Sequence, residues 1–186
     1  MSKVIVLDPG HGGPDPGAVN NELGLREKDI ALKIAKQTAE YLKGLGYDVI
    51  LTRDSDRHVS LRERCDIANY HNADAFVSIH LNGADNPNAH GFEVYHYPGS
   101  TEGKRLAEAI AKQMQQLSNL YGGYDWRGIK TAEFYVLKHT KMPAVLVEAG
   151  FITSDMDARW LIEDHNYTYP ALFIAQGIDD YLKGGK

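Results

Sequence analysis

Three apolar runs in this chain each lead into a residue able to hold a metal or move a proton. Residues 4–7 run into Asp8-Pro9-Gly10-His11-Gly12-Gly13, residues 75–79 into His80, and residues 144–147 into Glu148. Short apolar runs of this kind read as buried strands of an α/β sheet, whose ligand sites gather at the carboxyl ends. Glu27 follows His11 by 16 positions, at the start of a helical pattern. Two imidazoles and one carboxylate form a three-ligand set with a fourth position open, the pattern of catalytic rather than structural zinc. Glu148, flanked by apolar residues on both sides, suits a general base and acid, because partial desolvation raises a carboxyl pKa.

Each of these residues also has an ordinary structural use. His11 fits a glycine-rich loop, Glu27 complements a helix dipole, His80 caps a strand, and Glu148 can pair with Arg127 or Lys130. Their shared rim is what points to a metal-dependent hydrolase. The remaining histidines carry less. His58, His71, His90, His139 and His165 fall on loops or polar helix faces and read as solvated, while His96 packs or pairs within an alternating strand. No Gly-x-Ser-x-Gly elbow is present, so a hydrolase serine is not indicated. The loop around His11 lacks the Lys and Ser/Thr of a phosphate loop.

The elements that must position these groups alternate along the chain. Ile30, Ile34, Tyr41, Leu42 and Leu45 recur at helical spacing before Gly46, and residues 47–52 read as a strand. Ser60 with Glu63 forms a capping-box pattern ahead of a helix. Residues 91–97 alternate as a half-exposed strand, and a helix follows from about Thr101 through Leu117. Residues 118–133 read as a long loop, residues 134–137 as a short strand. Ser154 with Asp157 opens a helix to about Glu163, and Pro170 suits the first turn of a last helix. The expected fold is α/β: a single domain over residues 1–183 with an open, twisted, mostly parallel sheet of about six strands and helices on both faces. Residues 184–186 read as a frayed tail.

Bulk properties narrow the function. The chain has 186 residues, 43% hydrophobic and 24% charged, with a formal net charge of −5. That size supports one substantial core without staples, and that charge argues against nucleic acid as a partner. The single Cys65 excludes an intramolecular disulfide and a cysteine zinc cluster; it reads as a small buried side chain on a helix. No apolar stretch approaches the length of a membrane span, and no signal peptide is read at the N-terminus. The chain is expected either to be made without a secretion signal or to be an excised catalytic domain.

These residues, taken together, resemble the zinc-dependent N-acetylmuramoyl-L-alanine amidases of the Amidase_3 family. The resemblance rests on Asp8-Pro9-Gly10-His11-Gly12-Gly13, Leu25-Arg26-Glu27-Lys28-Asp29, Thr52-Arg53, Leu61-x-x-Arg64, Ala73-Asp74-Ala75-Phe76-Val77-Ser78-Ile79-His80-x-Asn82 and Val147-Glu148-x-Gly150-Phe151. It runs in order from about Lys3 to Leu182. It implies one zinc ion held by His11, Glu27 and His80, with Glu148 as the catalytic glutamate. The implied reaction is cleavage of the amide between the lactyl group of N-acetylmuramic acid and L-alanine of the stem peptide, by water activated at the zinc. Peptidoglycan is then the partner, the bacterial cell wall the place of action, and a monomer the expected state. Asn82, Arg127 and Lys130 are candidates for holding glycan or stem peptide. Autoinhibited members carry an inserted helical segment between the second zinc histidine and the catalytic glutamate. Here that interval is 68 residues and already filled by ordinary elements, so no blocking helix is expected. The rival readings are a non-catalytic peptidoglycan-binding domain and another zinc hydrolase of wall substrates, such as a stem peptidase or a sugar deacetylase.

Overall fold

Alternate side chains of the apolar runs sort onto two faces of one sheet, and that division places the site. The computed structural model describes residues 2–86, 88–122 and 124–184, with the backbone alone at Asp164. Its elements are β1 (Val4–Pro9), β2 (Val19–Asn20), β3 (Leu25–Arg26), α1 (Glu27–Gly44), β4 (Asp48–Leu51), α2 (Leu61–Tyr70), β5 (Ala75–Asn82), β6 (Phe92–His96), α3 (Thr101–Met114), α4 (Gln116–Leu120), β7 (Trp126–Thr131), α5 (Tyr135–His139), β8 (Ala144–Phe151), α6 (Asp155–Ile162), a 3-10 turn (Glu163–His165) and α7 (Thr168–Leu182). Six strands form one sheet in the order β4-β1-β5-β8-β6-β7. The first four are mutually parallel; β6 runs antiparallel to β8 and carries β7 parallel to itself. The expected mostly parallel sheet flanked by helices is what forms. Residues 185–186 of the expected tail lie outside the described residues.

On one face Ile5, Leu7, Val77, Ile79, Val145 and Val147 pack with Ile30 and Ile34 of α1, Leu106 and Ile110 of α3, and Ile174 and Ile178 of α7. On the other, Val6, Phe76 and Leu146 pack with Cys65 and Ala68 of α2 and Val136 and Leu137 of α5. The first face is roofed by helices of 18, 14 and 15 residues, the second by helices of 10 and 5. The thinner roof leaves room for a cleft above the strand ends. The Ser60–Glu63 capping box forms as the pattern predicts, and Ser154 caps α6 through the Asp157 N–H. Cys65 is buried on α2.

Three expectations need correction. Residues 118–133 are no loop: they hold the end of α4 and the edge strand β7. Glycines at 122, 123 and 128 interrupt that stretch and hide the strand, which pairs with β6 across a register shift. Residues 134–137 are no strand but the N-cap and first turn of α5, since a four-residue apolar run fits either element locally. The strand at 91–97 is not half-exposed; β6 lies between β8 and β7, and four of its five residues are buried. Its polar partners are therefore internal.

Candidate metal centre and catalytic cleft

The loop that follows β1 is held from below by two buried arginines. Arg64 donates to Asp8 Oδ1 (2.6 Å), to the Pro9 carbonyl (2.7 Å), to the His11 carbonyl (2.7 Å) and to the Val59 carbonyl (3.1 Å). Arg53 donates to the carbonyls of Pro9 (3.0 Å), Gly10 (2.6 Å) and Lys28 (2.8 Å). Asp8, itself buried, also accepts from Thr52 Oγ1 (2.6 Å) and Ser78 Oγ (2.8 Å). A guanidinium fork suits this task because it satisfies several carbonyls from fixed directions. The tether holds His11 at φ 60, a left-handed conformation uncommon for a residue with a Cβ and typical of functional sites.

His11 arrives from that loop, Glu27 from the first turn of α1 and His80 from the end of β5. His11 Nε2 lies 3.0 Å and His80 Nδ1 2.8 Å from the same Glu27 Oε1. One donor atom from each residue falls within 4.8 Å of the others, and among the described residues no other group of His, Cys, Asp or Glu does so. The far nitrogen of His11 meets Asp15 Oδ2 at 2.8 Å. Glu27 is buttressed by the N–H groups of Ala18 (2.8 Å, to Oε2) and Leu81 (3.1 Å, to Oε1). The backbone makes space for these side chains. A Cβ on Gly10 would lie 2.3–2.6 Å from the His80 ring, and one on Gly17 (φ +67) 2.5 Å from Glu27 Oε2.

This arrangement calls for positive charge. A carboxylate oxygen facing two imidazole nitrogens is stable only with protons or a cation between them. Burial by itself would lower the pKa of His11, but Glu27 and Asp15 outweigh it and push it up to about 9. Burial would raise Glu27, yet His11 and His80 hold it down to about 2. His80 is raised as well, burial being overcome by Glu27 and Glu148. Two nitrogens and an oxygen are a donor set that suits zinc, and Asp15, on the far nitrogen of His11, stands where a ligating histidine would find its orienting carboxylate.

Glu148 sits opposite His80 in the parallel β5–β8 pair, so both side chains share a face. Its Oε2 is buried and has no hydrogen-bond partner among the described residues. Burial pushes its carboxyl up to about 7; His80 opposes, and Glu27 and Glu93 add like charge. Arg127 and Lys130 do not pair with Glu148. Both reach Glu93 Oε2, at 3.0 and 2.5 Å, while Asn82 Nδ2 (2.8 Å) and Tyr95 Oη (2.6 Å) donate to Glu93 Oε1. The three candidate substrate contacts are thus joined through a buried carboxylate that the sequence reading passed over. An acidic residue on a strand between apolar neighbours was the available signal, muted by the half-exposed reading of that strand. Asp8 and Asp15 were likewise assigned no part.

The cleft has a volume of about 470 Å³; its floor includes His11, Glu27, His80 and Glu148, and its wall Leu61, Phe134, Tyr135 and Val136. Leu61, Phe134 and Tyr135 are exposed large hydrophobics. His58, also in the cleft lining, is exposed, as are His71, His139 and His165. His90 is half-buried rather than solvated, 3.7 Å from the Asp125 carboxylate, because the start of β6 lies inside the sheet. His96 is buried against the Tyr97 carbonyl. The interval from His80 to Glu148 holds β6, α3, α4, β7 and α5. Among the described residues no helix is long and apolar enough to cross a membrane.

Residues 5–180 match the family described as N-acetylmuramoyl-L-alanine amidase (Amidase_3). The chain is 44% identical over 161 residues to the N-acetylmuramoyl-L-alanine amidase LytC of Bacillus subtilis strain 168, covering 85% of this chain and 31% of LytC. It is 42% identical over 191 residues to the endolysin of Bacillus phage SPP1, covering 98% of this chain and 67% of that protein. Its fold superposes on the N-acetylmuramoyl-L-alanine amidase AmiC2 of Nostoc punctiforme with a TM-score of 0.89 at 41% identity, covering 97% of each chain.

Proposed function

Because the chain belongs to the N-acetylmuramoyl-L-alanine amidase family, we propose that it hydrolyses the amide joining the lactyl group of N-acetylmuramic acid to L-alanine of the peptidoglycan stem. The proposal places its action at the bacterial cell wall. It assigns a single zinc ion to His11, Glu27 and His80 and the proton transfers to Glu148. The observation that carries it is the meeting of three donor atoms within 4.8 Å, beside a buried carboxylate oxygen without a partner.

Zinc, when bound, supplies Lewis acidity: it polarises a carbonyl and lowers the pKa of water to about 7. The chain's own residues do the rest. Asp15 accepts the Nδ1 proton of His11 and so leaves Nε2 free to ligate; the amides of Ala18 and Leu81 fix the Glu27 carboxylate. Glu148 takes a proton from the attacking water as its oxygen bonds to the lactyl carbon. The carbon–nitrogen bond then breaks, and the same proton passes to the departing alanine nitrogen. Burial favours the protonated form of this carboxyl, and one of its oxygens has no hydrogen-bond partner among the described residues, so it can accept a proton and return it, which is what acid–base catalysis requires. The apolar wall of Leu61, Phe134 and Tyr135 suits the methyl groups flanking the scissile bond. Arg127 and Lys130 are assigned to the peptide side, and Asn82 to holding Glu93.

Mass spectrometry of purified cell walls digested with the zinc-loaded protein tests this. The expected products carry a new N-terminal alanine with the glycan intact, and chelation stops their release. Cleavage within the stem, release of acetate, or wall binding without cleavage would each overturn it.

A further inference from the structure

A lateral row of side chains crosses four strands of the sheet next to the proposed metal centre. His80 is opposite Glu148, Glu148 opposite Glu93, and Arg127 falls at the register shift between the Phe92–Trp126 and Val94–Ile129 pairs. Directly paired residues project on the same face, so the row runs from the proposed zinc ligands to the sheet edge along one surface. Charge changes sign along it. Glu93 is 2% exposed and accepts from four donors, two of them cations. One carboxylate between two cations leaves a surplus positive charge.

That surplus faces outward. The Arg127 and Lys130 side chains are 36% and 38% exposed. Arg127 spends Nε on Glu93 and Nη1 on the His90 carbonyl (3.2 Å), with its plane over the Phe151 ring at 4.8 Å. Lys130 directs one of its three protons to Glu93. The guanidinium is thereby held in a fixed plane with N–H groups to spare, beside a lysine pinned by the same anion. Fixed, partly desolvated cations are what a carboxylate ligand requires.

We propose that Glu93 is a positioning residue that fixes Arg127 and Lys130 as a receptor for a carboxylate on the peptide side of the substrate, borne by the second residue of the stem. This rests on the amidase reading and extends it to substrate preference. The distances agree. Two extended residues beyond the scissile bond reach about 7 Å. Arg127 lies two strand spacings from Glu148, about 10 Å, and its side chain bridges the remainder. Asn82 and Tyr95 complete the shell of Glu93, so the carboxylate cannot swing toward Glu148 and the cations stay at the rim.

The test uses two muropeptides that differ only in whether the second stem residue carries a free carboxylate or a carboxamide. Binding is measured calorimetrically to the zinc-loaded Glu148→Gln protein, so no turnover interferes. The carboxylate form is expected to bind at least about 10-fold tighter, the effect of a charge-assisted hydrogen bond. In Arg127→Met/Lys130→Met the ratio falls to about one. Glu93→Asp, which keeps the charge but withdraws the anchoring carboxylate from the two cations, lowers the ratio, whereas a merely structural role would weaken both ligands alike. Equal affinities in the protein with Arg127, Lys130 and Glu93 intact, binding of neither muropeptide, or a ratio that survives the double substitution would overturn the proposal. The comparison of two ligands on one protein holds even if a variant fails to fold. Cleavage of the wrong bond by the protein retaining Glu148 would sink the amidase reading; a ratio near one with the right bond cut would sink the receptor alone.

Discussion

Arg64 offers the most direct test of how the fold presents His11. Replacing it with Met removes four hydrogen bonds and leaves Asp8 buried without its cation. Breaking a buried ion pair from one side costs about 3–5 kcal/mol, against a total stability of roughly 5–15 kcal/mol for a domain. Arg64→Met should therefore fold but unfold earlier, with the urea midpoint shifted down by about 2 M at a typical slope of about 2 kcal/mol/M. Arg64→Lys separates charge from geometry. An ammonium can still face Asp8 but cannot fork to the carbonyls of Pro9, His11 and Val59, so its stability should lie between Met and Arg. Both variants release the carbonyl of His11, and zinc affinity should fall about 10- to 100-fold in each, as for other orienting partners of metal ligands. Urea unfolding by circular dichroism reads the first quantity, and competition with a chromophoric chelator reads the second. If both variants bind zinc as tightly as the protein with Arg64, the tether does not set the position of His11. An unchanged urea midpoint in Arg64→Met would refute the buried-pair energetics.

Glu148→Gln should keep zinc affinity while lowering turnover by roughly 10²–10⁴-fold; near-normal turnover in a muropeptide assay would remove Glu148 from the reaction. Dialysis against a strong chelator should abolish wall hydrolysis and stoichiometric zinc restore it, so activity that persists in metal-free protein refutes the metal reading. Gly10→Ala places a methyl against the His80 ring, and overpacking of this kind costs about 1–3 kcal/mol; the expected result is at least tenfold weaker zinc binding in a folded protein, checked by the same competition assay. Asp157 tests pH linkage away from the proposed metal centre. Burial pushes its carboxyl from 3.8 up to about 6, against the opposing N–H groups of Phe151 and Gly91. Ionisation then opposes folding: the cost is absent below the unfolded value, grows as pH rises from about 4 through 6, and levels at about 3 kcal/mol. Asp157→Asn carries no such cost, so its stability relative to the protein with Asp157 should rise across that window. A stability difference constant from pH 4 to 8 in urea unfolding would contradict the assignment.

Much of the scaffold was legible because the strongest local signals are also the structural ones. The runs ending at Asp8, His80 and Glu148 are buried on both faces and so are apolar apart from Ser78, whose hydroxyl is spent on Asp8. The period of α1 and the capping box of α2 are written in neighbouring residues. Where the local signal was ambiguous the reading failed. Phe134 to Leu137 suits strand and helix alike, and β7 carries Gly128 within its six residues. Glu93 looked exposed because alternation reports a half-polar strand without reporting what lies on the polar side. Inside the sheet that side meets Arg127, Lys130, Asn82 and Tyr95.

Taken alone, the order of residues determined which groups end the core strands, since strand burial and loop glycines are local matters of hydrophobicity and backbone freedom. Whether those groups meet was a tertiary matter. Residues 11, 27, 80 and 148 come together only because parallel pairing places β1, β5 and β8 side by side with their carboxyl ends on one rim, while Arg53 and Arg64 pull the intervening loop onto it. Which cations face which carboxylates was decided there too, because charge pairing depends on distance in space, and separation along the chain does not carry it.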